Sequence, residues 1–511
     1  MRASVLDLGS NSFHVLVADV DDGRVVPVLR QREMLHLGAV VARHGAIPDE
    51  ERANAAATAG HLADLARRSG AGEVTAVATA AIRDADNGSE VLAAIEAATG
   101  VPVRILPGEE EARLSYLGVR SSVALEADPT LVLDLGGGSL EFAIGHGGTL
   151  DWAASTPLGS SRLSTSLKKD PPGKGDLRRL RALVDEHVDP LVPTVWTSAP
   201  RTVIALGGTV RALARLVAAD RGVWLPAETV TNQLHVPAGA LRAVRDRLLE
   251  LDYVQRLDLP GMKDTRADHV HVAATVLVDV LERLAVDEVV ISDAGIREGL
   301  LLDARGVTEV PPAAELRRRE IERVATTFVP EDPHPTHVAA LAGLLFDELV
   351  DLHGLGDDDR ELLVHAAALH TIGEALALRR SHRHGAYLLE NAELRGFSPR
   401  DVAMLATLVR FHGARGLDRR FPPTASLDPD RRGRCERLLP LLQVADVLDR
   451  ARDQAVHDVH ALDDDGEVLT IAVQGDPHLV PSDLGRRVAW FQRVFERRLQ
   501  LVDADTDDAL H

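Results

Sequence analysis

Cysteine is all but missing from this chain: Cys435 is the only one in 511 residues. No internal disulfide can form, and such usage suits a reducing compartment, so a cytoplasmic protein is expected. Nowhere do about 18 uncharged apolar residues follow one another, and MRASVLDLGSNS at the N-terminus has no apolar run leading to a small-residue cleavage site. Neither a membrane-spanning helix nor a secretory leader is therefore expected. Lysine is scarce too, with 4 residues, and arginine does not restore the balance: 57 basic against 78 acidic residues leave a net charge of −21. That excess excludes general binding to nucleic acid or to an anionic membrane. An anionic substrate would need a local basic pocket or a metal ion.

What is present is ordinary globular material, with 45% apolar residues in a chain too long for a single core. The first third alternates strand and helix patterns: SVLDLG and FHVLVADV around a turn, VVPVLRQRE, a helix over Pro48 to Ser69, EVTAVAT, SEVLAAIEAAT, VPVRIL and PGEEEARLSYLGVR. This order predicts an α/β layer fold. After the connector EADP the pattern restarts with LVLD, GGGS and LEFAIGHGGTLDWAAS, and TVIALGGT and DEVVISDAG follow. We expect α/β domains at 1–123 and 124–305 related by duplication. From VTEVPPAAELRRRE onward a helical domain is expected over 306–455, and a small α/β subdomain, with a helix in RRVAWFQRVFERRLQL, over 456–511.

The pentamer VLDLG opens both α/β segments, at Val5 and at Val132, and the same register pairs Ser12 with Ser139 and His14 with Glu141. A strand that ends in Asp and runs into Gly and small polar residues leaves a carboxylate at its tip and a turn whose N–H groups can face an anion. Gly9 and Gly136, Gly137 and Gly138 allow close approach of phosphate, and Ser12 and Ser139 add hydroxyl donors. Two such turns facing each other would clamp a phosphate chain. Asp7 and Asp134 would repel it unless a divalent cation sat there, and Asp7, Asp134 and Glu141 offer only oxygen ligands, which suits Mg²⁺, with Mn²⁺ as the alternative. On its own, Asp134 would equally serve as an acceptor for turn hydrogen bonds.

The ordered segments DLGSNSFH, ATAAIRDADN, EEARLSYLGV, DLGGGSLEF, TPLGSSRL, GGTVRALA and DAGIREGLL resemble the exopolyphosphatase and guanosine pentaphosphate phosphohydrolase family of the actin-like ATPase superfamily. The resemblance implies two duplicated actin-like (ribonuclease H-like) domains around a cleft. It also implies release of terminal phosphate from inorganic polyphosphate or, alternatively, from the pentaphosphate pppGpp. By the same resemblance Glu111 is the catalytic base, Asp134 and Glu141 are metal-binding and water-ordering acids, and Gly136 to Ser139 form the phosphate loop. Asn11, Ser12 and Arg83 match phosphate contacts on the facing domain, and Gly207, Gly208, Thr209 and Arg211 a further phosphate-facing turn. Without it, Glu109 to Glu111 would read as acids placed favourably at a helix N-terminus, and Arg83 as a surface partner of Asp84 or Asp86.

The chain departs from the family pattern at Leu140, where Thr is usual, at Ser160 and Ser161, and in RADHVHVAATVL, which lacks Pro-Gly. The helical domain resembles an HD domain in the order His337, His370, His384, His412 and Asp446. Thr371, however, stands where a working metal site needs Asp, so a structural role is expected: extending the cleft, packing a homodimer, or guiding substrate past ALRRSHRHG. Two readings from other classes compete: a non-catalytic sensor of polyphosphate or guanosine tetra- and pentaphosphate, and an actin-like kinase. The retained carboxylates oppose the first and the EEARL glutamate the second.

Overall fold

The computed structural model describes residues 1–21, 23–125, 128–307, 311–413, 416–464, 466–475 and 489–504. The chain divides into two compact units, Met1–Arg221 with Thr231–Leu316, and Gly222–Val230 with Arg317–His511.

The first unit holds two sheets of matching design. Strands β1 (Arg2–Leu8), β2 (Ser12–Asp21), β3 (Arg24–Met34), β4 (Val74–Ala78) and β5 (Val103–Ile105) are ordered β3-β2-β1-β4-β5. Strands β6 (Thr130–Leu135), β7 (Leu140–His146), β8 (Thr149–Thr156), β9 (Thr202–Leu206), β10 (His235–Pro237) and β11 (Glu288–Ile291) are ordered β10-β11-β9-β6-β7-β8. In each sheet an antiparallel three-stranded meander is followed by two parallel strands on its far edge, and β10 is an antiparallel addition to the second. The repeated VLDLG is thus the central strand of two sheets with one topology. The run LEFAIGHGGTLDWAAS, read above as a single strand, is the hairpin β7–β8, because adjacent glycines at 147 and 148 supply its turn.

Two-residue periodicity explains the layering, since alternate side chains of a strand point to opposite faces. Leu6, Leu8, Phe13, Val15 and Val17 pack with Leu62 and Ile95 from helices Asp49–Arg68 and Gly88–Thr99. Ala3, Val5, Leu16, Ala18 and Val20 face the other way, onto Leu114 and Leu117 of helix Gly108–Arg120 and Leu300 to Leu302 of helix Ile296–Asp303. The latter helix, grouped above with the second α/β segment, therefore completes the core of the first. Helix Gly108–Arg120 also turns Ala112, Tyr116 and Val119 onto Val132, Ala143 and Ile204 of the second sheet. One helix is thus wedged between both cores, and it carries Glu111. The close crossing of the two helices is set by glycine: a Cβ on Gly299 would collide with the Leu114 carbonyl, and one on Gly118 with that of Gly295.

In the second unit the helices His334–Glu348, Asp357–Leu369, Pro399–Phe411 and Pro429–Leu448 share one core. Its sheet has the order β12 (Val456–Asp464), β13 (Val468–Gly475) and β14 (Arg498–Asp503). Val459, Ile471, Val473 and Phe491 belong to the same apolar cluster as the helices, so the described residues of the expected C-terminal subdomain share the helices' core. Among the described residues the helix expected in RRVAWFQRVFERRLQL covers Ala489–Phe495, and RLQLVD is the strand β14, paired in parallel with β13. Residues 486–488, parts of EADP and of VTEVPPAAELRRRE, and one residue of the turn before β13 lie outside the described residues. The histidine expected to open the HD-like series is also different. His334, one helical turn before His337, meets His370 and Asp446, whereas His337 Nε2 is buried without a partner. His384 takes no part in that cluster.

Gly299→Val should lower unfolding stability by about 1–3 kcal/mol through overpacking of the helix crossing. Gly239→Ala, at a helical position with open space around it, should be neutral or stabilising by about 0.5–1 kcal/mol. Urea unfolding of the two variants beside the parent checks both.

Candidate active site

The two VLDLG strands end at a common cleft in the first unit. In β1–β2 the register sets Asp7 opposite His14, and in β6–β7 it sets Asp134 opposite Glu141. The turns between the paired strands, Gly9 to Asn11 and Gly136 to Ser139, both line the cleft. They approach so closely that a Cβ on Gly137 would lie 2.7 Å from the Asn11 side chain. Asn11 Oδ1 is buried there without a hydrogen-bond partner. The second turn is braced from behind: Ser160 N–H donates to the Gly136 carbonyl at 3.1 Å, and Ser161 and Arg162 N–H to that of Gly137 at 3.0 Å. The departures from the family pattern at Ser160 and Ser161 thus fall on the loop's support.

Asp7, Glu111, Asp134 and Glu141 converge on this cleft, which Asp293 also lines. Of the three acids at the start of helix Gly108–Arg120, Glu109 is exposed, Glu110 is paired with Arg104 at 2.5 Å, and Glu111 is buried. Burial raises Glu111 to about 8, against the opposing Arg83 guanidinium and with Asp7 and Asp134 adding to the rise. Burial likewise raises Asp7 to about 6, opposed by Arg297 and reinforced by Asp134 and Glu298. Asp134 is raised by burial although Ser115 Oγ donates to it at 2.6 Å. Glu141 is pushed well up by burial and by Glu111 and Asp134, against hydroxyl bonds that include Ser155 Oγ at 2.9 Å. Each of these acids lacks sufficient positive charge nearby.

Arginines crowd the same cleft, where Arg32, Arg211, Arg266 and Arg297 all line it. Burial depresses Arg211, with Arg297 and Arg30 adding to the effect against Asp293 and Glu298. Burial, Arg211, Arg32 and Arg215 push Arg266 down to about 9. His14 is held neutral, lowered first by burial and then by Arg297, Arg32, Arg211 and Arg266. Its tautomer follows from its partners. Arg297 Nη1 lies 2.9 Å from His14 Nδ1 and can only donate, so Nδ1 accepts. Nε2 then carries the proton and donates to Ser12 Oγ at 2.7 Å, which leaves the Ser12 hydroxyl hydrogen free for a ligand.

Gly9, Ser12, Ser139, Gly207, Gly208, Thr209 and Arg211 all line the cleft, and Gly208 opens helix Gly208–Asp220 toward it. Arg83 is not among the residues lining the cleft; its guanidinium bonds the Leu106 carbonyl at 2.7 Å and pairs with Glu111 and, at 3.4 Å, with Asp84. The expected Asp84 pairing is present, and so is a tie to the proposed base. Sequence reasoning missed Arg32, Arg266, Arg297, Ser115 and Ser155. Arg297, inside DAGIREGLL, and Ser115, inside EEARLSYLGV, had a signal to follow.

Glu111 holds its proton up to about 8 when folded against an ordinary 4.5, and Asp7 up to about 6 against 3.8. Their contribution to stability is therefore complete below the unfolded values and is lost as pH rises through the folded ones. With a chelator present, unfolding stability should fall between pH 4.5 and 8. Glu111→Gln should flatten that fall by at least ~1 kcal/mol. Urea unfolding across this range checks it, and an unchanged slope in the variant rejects it.

The Ppx/GppA phosphatase family matches residues 16–306, and Ppx/GppA phosphatase, domain III, matches residues 316–476. Exopolyphosphatase 1 of Mycobacterium tuberculosis is 34% identical over 305 residues, 59% of this chain and 88% of that relative. An exopolyphosphatase structure from Cytophaga hutchinsonii is 27% identical with a TM-score of 0.56, covering 60% of this chain and all of that one. The Aquifex aeolicus Ppx/GppA family member is 26% identical with a TM-score of 0.51, covering 60% of this chain and 97% of its own. With the family model spanning more than half of the sequence, and with the duplicated sheets as its framework, the chain belongs to the Ppx/GppA phosphatases of the actin-like ATPase fold.

Proposed function

We propose that the protein is an exopolyphosphatase, removing terminal orthophosphate from inorganic polyphosphate in the cleft between the two sheets. The observation that carries this reading is the pair of register-matched turns with Asp7 and His14 on one side and Asp134 and Glu141 on the other. The names of the mycobacterial and Cytophaga relatives support the choice of substrate. So do Arg32, Arg211, Arg266 and Arg297, which line the cleft and offer charge beyond one terminal phosphate. The pentaphosphate pppGpp presents the same phosphoanhydride and is the alternative substrate.

In this mechanism the terminal phosphoryl group lies between the two glycine turns, with N–H groups and the Ser12 and Ser139 hydroxyls on its oxygens. Once ionised, Glu111 accepts a proton from water as the water oxygen bonds to the terminal phosphorus, and the P–O bond to the remaining chain breaks. Arg83, bonded to Glu111, positions that carboxylate and opposes the rise in its proton affinity. In donor chemistry the set also suits a hard divalent cation, although the cleft acids do not bring three donor atoms within 4.8 Å of one another in this structure. Asp7, Asp134 and Glu141 present oxygen only, and the nearby imidazole of His14 is committed at both nitrogens. When bound, Mg²⁺ would neutralise phosphate and carboxylate charge there. We further read the helical unit as an HD-like module with a non-hydrolytic role, on the order of its histidines and on Thr371.

Glu111→Gln should lower phosphate release from long-chain polyphosphate by about 10²–10⁴-fold with Mg²⁺ present. The proposal fails if neither polyphosphate nor pppGpp yields phosphate above the variant's rate, and tight binding without turnover would establish the sensor reading instead. Arg83→Met removes the cation that opposes Glu111's rise, so the acid limb of kcat/KM should move to higher pH by about 1 unit. A rate loss with an unmoved limb would show that Arg83 serves only to hold structure.

A further inference from the structure

Outside the cleft, in the helical unit, three histidines are oriented in the same way. His334 Nδ1 lies 2.7 Å from Asp449 Oδ2, His370 Nδ1 2.5 Å from the Ala367 carbonyl, and His412 Nδ1 2.8 Å from the Val409 carbonyl. The oxygen accepts in each case, so each Nδ1 donates its hydrogen and the Nε2 atoms are turned away from these partners. The Nε2 atoms of His334 and His370 face one another at 3.3 Å. Asp446 Oδ1 stands 3.7 Å from the first and 3.6 Å from the second. Two imidazole nitrogens and a carboxylate oxygen thus converge within reach of one ion.

The surroundings match those of a metal centre. His334 and His370 are buried, Asp446 keeps 15% of its side-chain exposure, and the three donor atoms lie within 4.8 Å of one another. Asp449, buried behind His334, supplies the carboxylate-to-imidazole support that ligating histidines use to fix their tautomer. His412 stands edge-on to His370, with ring centres 5.3 Å apart. Thr371, next in the chain to His370, has a buried hydroxyl without a hydrogen-bond partner. A hydroxyl is a poor bridge between two ions, so the set suits a single one. Two imidazole nitrogens with one carboxylate select a first-row transition ion over Mg²⁺.

We propose that His334, His370 and Asp446 bind one divalent transition-metal ion. Such an ion ties the start of helix His334–Glu348 and the end of helix Asp357–Leu369 to helix Pro429–Leu448. The site is distinct in chemistry from the oxygen-only set of the cleft, and its role is to clip three helices together.

The test uses the full chain, stripped with chelator and then dialysed against Co²⁺ or Zn²⁺ in a large excess of Mg²⁺, which occupies oxygen-only sites. One equivalent should be retained, Co²⁺ should show a visible d–d band of mixed nitrogen and oxygen ligation, and the thermal midpoint should rise. His370→Gln and Asp446→Asn should each weaken retention at least tenfold and lose the midpoint response, Asp449→Asn should weaken it by about 10-fold, and His337→Gln should retain the full equivalent. Circular dichroism identifies any variant that fails to fold, and the stoichiometry and spectrum of the parent protein stand without variants. A parent that retains no ion overturns the proposal, as does retention unchanged in folded His370→Gln and Asp446→Asn. A midpoint that rises only as pH falls through the imidazole range, with no ion retained, would mean that a proton fills the gap and also overturns it.

Discussion

Uncompensated charge of both signs in one cleft is the constraint around which the first unit is arranged. Asp7, Glu111, Asp134 and Glu141 are held where burial and mutual repulsion raise their proton affinity, and Arg211 and Arg266 where burial and like neighbours weaken theirs. The two sets offset one another only in part, as the opposing action of Arg297 on Asp7 and of Arg83 on Glu111 indicates. A cation bound among the acids and an anion bound along the arginines would each relieve one excess, and a metal–phosphate complex would relieve both. This also reconciles the chain's net charge of −21 with an anionic substrate, because the field that matters is local.

Folding must overcome that strain with packing elsewhere. The carboxylates sit at the tips of strands buried on both faces, or at the first turn of a helix wedged between two cores, so none can withdraw without disrupting apolar contacts. The glycine crossing of helices Gly108–Arg120 and Ile296–Asp303 locks that wedge at backbone contact. Glu111 and Arg297 both ride on the locked pair, near the start of each helix. The proposed base and an arginine that grips His14 are thereby positioned by one steric device.

The duplicated sheets were legible because both copies of VLDLG keep strand alternation and turn glycines, local features that sequence displays directly. Asp134 and Glu141 were expected to act together as oxygen ligands, and the hairpin register that sets them opposite one another emerges only in the fold. Arg32 and Arg266 were not legible, because they reach the cleft from a strand and a short helix whose local pattern says nothing of destination. Likewise RLQLVD has alternating polarity consistent with either a helix end or an edge strand, and its pairing with β13 decides the matter. His334 was passed over for His337 because both lie on one helix, a turn apart, and only Asp449 and His370, distant in sequence, distinguish them.

The unequal fate of one register position explains how a duplicated hairpin can serve two ends. Opposite Asp134 the second copy has Glu141, an acid whose charge is costly where it lies and therefore available to a cation. Opposite Asp7 the first copy has His14, neutral and gripped by Arg297, whose remaining N–H turns the Ser12 hydroxyl outward. A carboxylate at position 14 could not donate to Ser12 in that way, and it would add a further acid to a site already short of positive charge. A histidine at position 141 would offer a nitrogen where hard oxygen ligation suits Mg²⁺. The two substitutions are therefore not interchangeable. In the proposed reaction the first hairpin is suited to hold the phosphate and the second to balance its charge while Glu111 acts on the water between them.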